Sequence, residues 1–389
     1  MHKDLLTPKI AALLATLPEG ASGPALLDRL RRELEPELAR EVAALHESRQ
    51  RSKARLGLDL LPFLRSGSAS QCTAPAIARH RARTILERSG ASHIWDATCG
   101  LGMEAICLAL AGHSVIASDH NLETACFARA NLRSHGLETP VIVADGAGDA
   151  VAFEYVLLDP DRRPNGQRTL DAEKWSPAWS RCLAQAARAR GAAIKLPPTW
   201  KPGPEAPEGA EWHWISTPQG LLECTLWLGA WATQPGHHAL RLPAEGDPIH
   251  YHARPTRVEA LDPAEAQQPA FLYDPDPALI AADLLGSLAA ETGLAPLAPE
   301  LGYLAGPRRV EHGLLRGFEV LDACSFKPKL VRAMLGAHGI GPVRVRLRGH
   351  QEAPEVLAQR FRGPGKGTGE LAVARLDAGR RVYLIRPLG

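Results

Sequence analysis

No stretch of the 389 residues reaches the ~18 consecutive apolar residues that a membrane-spanning helix needs. The opening MHKDLLTPK carries no apolar targeting run either. No two of the seven cysteines form a Cys-x-x-Cys pair, which argues against a zinc ribbon and a disulfide framework. A reducing, cytoplasmic setting is the expectation. No internal repeat is evident. Aromatic residues make up only 5%, yet seven of the eight tryptophans fall between residues 175 and 231, where core packing is their expected role. The remainder is ordinary for a globular protein, at 45% hydrophobic and 23% charged, and the length predicts two or three domains.

The net charge of +2 hides a gradient. Residues 71–300 hold 18 basic against 27 acidic side chains, whereas residues 301–389 hold 16 against 7. A basic C-terminal part suits an acidic partner, nucleic acid being the commonest, although a solvated basic surface has the same composition.

The hydrophobic pattern gives three regions. Residues 1–70 mix apolar and charged residues at helical spacing, and RSGSASQ (65–71) reads as a polar linker. Residues 71–235 alternate strand and helix signals. HIWD, SVIASD, PVIVAD, FEYVLLD and AAIKL are the strands, and Thr73 is the expected N-cap of a helix opening on Pro75. That alternation predicts an α/β fold, a doubly wound parallel sheet. Two strand-like runs around Thr217-Pro-Gln-Gly220 then predict a closing antiparallel hairpin. Residues 236–389 open with a turn-rich segment and end as a compact α+β module, with RVRLR a strand and ELAVARLDAGRRVYLIRP a hairpin about Asp377-Ala-Gly379.

Chemistry concentrates in the middle region. DATCGLGMEA places Asp96, Ala97, Gly100 and Gly102 at a strand-to-helix turn, where glycine lets the backbone approach a ligand. Gly-x-Gly-x-x-Ala alone also serves nicotinamide and flavin sites. The carboxylate entering the turn separates this site from those, because it is a poor neighbour for phosphate and a good one for an ammonium group. Asp119, followed by His120, ends the second strand, where an acid accepts ribose hydroxyls. Asp145 ends the third, placed for an adenine amino group. The implied ligand is adenosine-like, cationic and free of phosphate, which S-adenosylmethionine satisfies.

At these residues the chain resembles class I S-adenosylmethionine-dependent methyltransferases over about residues 71–235, with the terminal hairpin as a further mark. QCTAPAIARHRA is similar to the helix that precedes the cofactor strand in trimethylguanosine-synthase-like enzymes, with Ala74 inserted; the resemblance implies Thr73 near the methionine end of the cofactor. With its strand-end Asp159-Pro160-Asp-Arg162-Arg163, the whole arrangement resembles a bacterial group carrying a C-terminal THUMP-like domain. That resemblance implies RNA as the partner, since THUMP domains proper bind RNA.

Asp159 ends the fourth strand beside the first, at the switch point where ligands sit. In related enzymes this position faces the methyl group, and a carboxylate there can hold a nucleophile and accept its proton. Pro160 stiffens the loop, and Arg162 and Arg163 suit a substrate phosphate or carboxylate. An ion pair that only shapes the loop is the competing role. The aromatic that stacks a flipped base in amino-directed enzymes is absent. So is the cysteine that uracil C5 enzymes need; Lys195 stands at that edge, a candidate phosphate contact or a plain surface lysine. The methyl acceptor therefore stays open.

His237, His238, His250 and His252 flank a turn-rich segment without a carboxylate partner or fixed spacing, so no metal site is expected. Three readings remain: an RNA methyltransferase, a non-catalytic cofactor-binding RNA protein, and a small-molecule methyltransferase with an acidic substrate.

Overall fold

The computed structural model describes residues 4–56, 61–64, 72–163, 166–348, 352–376 and 379–388. The linker expected at 65–71 lies outside them. The chain forms two compact units, one of Met1–Trp212 with Glu223–Pro235 and the other of His213–Leu222 with Gly236–Gly389.

The first unit begins with α1 (Pro8–Thr16), α2 (Gly23–Leu30) and α3 (Pro36–Leu56). Thr7 caps α1 by accepting from the Ile10 N–H, and Pro8 opens the helix where its missing N–H costs nothing. Ile10 and Leu14, four apart, point inward, as do Leu38, Val42 and Leu45 of α3. These side chains share one core with Ala105, Leu108, Phe127 and Leu132 of the sheet-flanking helices. Fully buried Asn131 ties the two parts together. Its side-chain carbonyl accepts from the Phe63 N–H at 2.9 Å, and its amide donates to the carbonyls of Phe63 (3.1 Å) and Leu101 (2.9 Å).

The alternating region folds as α4 (Pro75–Ser89), β1 (His93–Asp96), α5 (Met103–Leu110), β2 (Ser114–Asp119), α6 (Leu122–Ser134), β3 (Val141–Val143), β4 (Tyr155–Leu158), α7 (Trp179–Arg188), β5 (Gly191–Leu196), β6 (Glu211–Thr217) and β7 (Gly220–Gly229). The strand order runs β3-β2-β1-β4-β5-β7-β6. β1 to β5 pair in parallel, and β7 runs antiparallel to β5 with Lys195 opposite Thr225. β4 is buried along its whole length, as expected for a parallel strand covered on both faces. One expected detail differs: Ala74, not Thr73, is the N-cap residue of α4, and it makes no side-chain cap bond. Trp95, Trp212, Trp227 and Trp231 are buried, as core packing requires.

In the second unit the segment expected to be turn-rich holds two antiparallel strands, β8 (Gly236–Arg241) and β9 (Ile249–Ala253). There follow β10 (Phe271–Pro275), α8 (Pro277–Ala281), α9 (Leu285–Thr292), β11 (Ala295–Pro296), β12 (Leu304–Gly306), β13 (Leu315–Ser325), α10 (Pro328–Ala337), β14 (Ile340–Arg348), α11 (Pro354–Arg360), β15 (Gly367–Leu376) and β16 (Gly379–Pro387). Seven strands form a sheet in the order β11-β12-β10-β13-β16-β15-β14. Alternation along β15 feeds two cores: Ala372 and Ala374 join Phe318 and Tyr383, whereas Leu371 and Val373 join Val331, Leu335 and Phe361 under α10 and α11. Asp377, about which the hairpin is expected, lies outside the described residues.

Candidate active site

The three acids expected at the strand ends differ in surroundings. Asp96, the last residue of β1, is 2% exposed, and its buried Oδ2 has no hydrogen-bond partner among the described residues. Burial first, then the charges of Glu104 and Asp159, push its carboxyl well above the usual carboxylate range. Asp119, at the end of β2, is also pushed up by burial, opposed by the backbone N–H of Asn121 at 2.8 Å. Neighbouring His120 is largely exposed, its Nδ1 3.7 Å from Asp119 Oδ1. Asp145 sits two residues beyond β3, exposed and already engaged. It accepts from Arg181 at 2.9 Å and from the Ala147 N–H at 3.0 Å, and these bonds outweigh burial and lower its pKa. The expected adenine amino group would have to share that carboxylate with Arg181.

The turn after β1 is shaped for close approach. Gly102 caps α5 at φ 91°, a left-handed conformation that side chains rarely adopt. Across the sheet, a Cβ on Gly146 would lie 2.4 Å from the Ala97 carbonyl oxygen, so only glycine lets these two loops meet. The Ala97 carbonyl is itself held by the Ser118 hydroxyl at 3.0 Å.

Asp159 follows β4, its N–H donating to Thr98 Oγ1 at 2.5 Å. Lys195, on β5, donates to Asp159 Oδ2 at 2.6 Å and to Thr73 Oγ1 at 3.1 Å. This corrects two expectations: Lys195 is no surface lysine, and Thr73 serves the lysine rather than a helix N-terminus. Burial by itself would lower the Lys195 pKa, but Asp159 and Glu223 outweigh it and hold the ammonium above its ordinary value.

Behind this pair lies a cluster that sequence reading missed. Arg81 of α4 is 2% exposed and donates to Glu104 of α5, to Glu223 of β7 and, at 3.1 Å, to Thr225. Burial lowers the Arg81 pKa, yet the two glutamates raise it further. Glu104 retains one buried oxygen without a partner among the described residues, and burial raises its pKa despite Arg81. A charge inside the apolar run GLLECTLWLG was the available signal for Glu223.

Beyond Pro160, Asp161 and Ser176 clip the loop by a two-bond β-bridge of 2.8 and 3.0 Å. Arg162 is half-buried, and its Nη1 has no partner among the described residues. Burial and nearby Arg168 lower its pKa, a cost that a bound anion would relieve. Arg163 is exposed, its N–H donating to Asp161 Oδ1 at 2.8 Å.

A family model described as THUMP domain-like matches residues 315–387, from β13 to β16. An uncharacterized S-adenosylmethionine-dependent methyltransferase of Mycobacterium tuberculosis is 30% identical over 324 residues, covering 82% of this chain and 87% of that protein. The chain belongs to the S-adenosylmethionine-dependent methyltransferases. The same match occurs in a second strain of that organism. A solved structure from Porphyromonas gingivalis, assigned as a methyltransferase, covers 100% of this chain and 99% of its own at a TM-score of 0.75 and 19% identity, which establishes the shared fold. The cofactor of this methyltransferase is S-adenosylmethionine, and its residues fit that group: the buried carboxylate oxygen of Asp96 has no partner among the described residues, and the turn after β1 bends through left-handed Gly102 at the strand end. Among the described residues no helix is long and apolar enough to cross a membrane.

Proposed function

We propose that this methyltransferase acts on RNA, with Asp159 at the methyl acceptor. Asp96 accepts from the ammonium of the cofactor, Asp119 from its ribose, and Asp145 with His120 borders its adenine. Ala97, Gly100 and Gly102 supply the close backbone wall, and Thr73 approaches the methionine end through its bond to Lys195. The bound cofactor supplies a methyl group on a sulfonium. The carrying observation for the cofactor is the unpartnered Asp96 oxygen, because a buried carboxylate without a donor is costly until a cation arrives.

Two features support an acidic, oxygen-bearing substrate. Arg162 offers a half-buried guanidinium nitrogen to a phosphate, with exposed Arg163 and rigid Pro160 beside it. Lys195 keeps a positive charge 2.6 Å from Asp159, which disfavours an acceptor that gains positive charge and favours a hydroxyl whose proton passes to Asp159. A ribose hydroxyl satisfies both, and the THUMP-like segment 315–387 adds an RNA-binding kinship.

The test is labelled methyl transfer into RNA, protein and metabolite extracts, with Asp159→Ala as control, followed by digestion of labelled RNA to nucleosides. Label in 2′-O-methyl nucleosides is the expected result. Label on a nucleobase nitrogen would refute the oxygen acceptor, and label only in acidic metabolites would establish the small-molecule reading. Cofactor binding without transfer to any extract would establish the non-catalytic one.

A further inference from the structure

Within the second unit, three imidazoles converge from three strands. His213 of β6 and His238 of β8 are buried, His250 of β9 is exposed, and one ring nitrogen from each lies within 4.8 Å of the others. The register explains the convergence. His238 pairs with His252 and Leu240 with His250, so the two histidines of β9 share the face of His238. His237 points the other way, toward Trp214, and its Nδ1 lies 2.6 Å from the Ala282 carbonyl oxygen. The sequence cluster of 237, 238, 250 and 252 is thus split by strand alternation, and His213, far away in sequence, takes the vacant place.

The rings are held in defined planes. His238 stacks on His213 at 4.4 Å, on His250 at 4.9 Å and on His252 at 4.2 Å between centroids. His238 Nδ1 and His250 Nε2 lie 2.7 Å apart, close enough to hold one proton between them. One ring nitrogen from each of three imidazoles, gathered within 4.8 Å, is the donor set of a three-histidine metal centre.

We propose that His213, His238 and His250 bind a first-row divalent cation, zinc foremost, in place of that shared proton. Zn–N bonds of ~2.0–2.1 Å in tetrahedral geometry put ligand nitrogens roughly 3.3 Å apart. The 2.7 Å pair must open and the third ring must close, and exposed His250 has the freedom to do so. Three nitrogen ligands leave a fourth position for water, and the ion cross-links β6, β8 and β9.

Calorimetry of the full-length protein, stripped with a chelator, tests this with zinc, and cobalt(II) absorption reports the ligands. The expected result is one equivalent bound, with nitrogen-type visible bands. His250→Ala, an exposed position that spares folding, weakens binding at least ~100-fold. His252→Phe keeps the stack but removes a nitrogen outside the proposed set, and changes affinity less than ~3-fold. Failure of the wild type to bind one equivalent overturns the assignment. So does binding indifferent to His250→Ala, or a thiolate charge-transfer band, which would place the ion on cysteine.

Discussion

Lys195 and Asp159 form an ion pair of 2.6 Å at the ends of adjacent parallel strands, β5 and β4, and the lysine also donates to Thr73 on a third element. A carboxylate held in this way has one orientation before any ligand arrives, and in the proposed acceptor role that lowers the cost of aligning a nucleophile. Replacing Asp159 by alanine is expected to leave S-adenosylmethionine affinity within ~3-fold by calorimetry while methyl transfer falls by roughly 10² to 10⁴. Equal loss of both would make Asp159 part of the cofactor pocket.

Asp96 sets function against stability. Its folded-state carboxyl is pushed upward by burial, so above the ordinary Asp range the folded protein without ligand holds its proton to higher pH than the unfolded chain does. As pH rises through the ordinary Asp range, the unfolded chain ionises first and the folded state loses relative stability, until pH passes the raised folded value. Asp96→Asn removes that loss. The variant is expected to melt above the wild type at neutral pH without ligand, with the gap closing toward pH 3. Its S-adenosylmethionine affinity should fall by roughly 1.5–3 kcal/mol, the worth of a charge-assisted bond. Calorimetry and melts across pH check both arms, and a lower neutral melting point would contradict the unpaired state of this acid.

Arg81 neutralises two buried glutamates at once. Arg81→Met leaves Glu104 and Glu223 uncompensated and is expected to cost about 3–5 kcal/mol in a urea titration. Adding Glu104→Gln and Glu223→Gln should recover most of that loss. If the single variant is as stable as the wild type, the cluster is not a charge network.

The ion pairs of β14 decide which of its arginines an RNA test should change. Alternation of Arg344, Arg346 and Arg348 implies three free cations on one face. Instead Arg348 pairs with Asp274 at 2.7 Å, Arg346 is shared between Asp274 and Glu370, and only Arg344 among the three is exposed. Arg344 lines a groove of about 520 Å³ together with Arg386, whose own ion pair to Glu319 is exposed. Arg344→Gln with Arg386→Gln is expected to weaken RNA binding and to flatten the log–log salt slope by roughly 1.4, two phosphates on a single strand. S-adenosylmethionine affinity should not change. An unaltered slope would remove this groove from the RNA surface.

What the sequence made legible and what it hid have a common physical origin. Asp96, Asp119 and Asp159 stand out because each closes an apolar run, and a parallel sheet carries such ends to one edge. Arg81, Glu104, Glu223 and His213 stay hidden because their meaning lies in partners on other elements, and neither period nor spacing encodes those. Thr73 misleads for a related reason: a hydroxyl beside Pro75 suits a cap, but Lys195 offers it a buried ammonium instead. The tryptophans were easier, since large apolar rings have few places to go except the interior.

The bond between Phe63 and Asn131 also sets a schedule for the growing chain. Helices α1 to α3 leave the ribosome before Asn131 and its neighbours Phe127 and Leu132, which complete their core, Asn131 being 68 residues beyond Phe63. At synthesis rates of about 5–20 residues per second that interval is roughly 3–14 s. During it Leu14, Leu30 and Val42 have no sheet layer to cover them. A pause in translation between residues 63 and 131 is therefore expected to lengthen the exposure of these apolar faces.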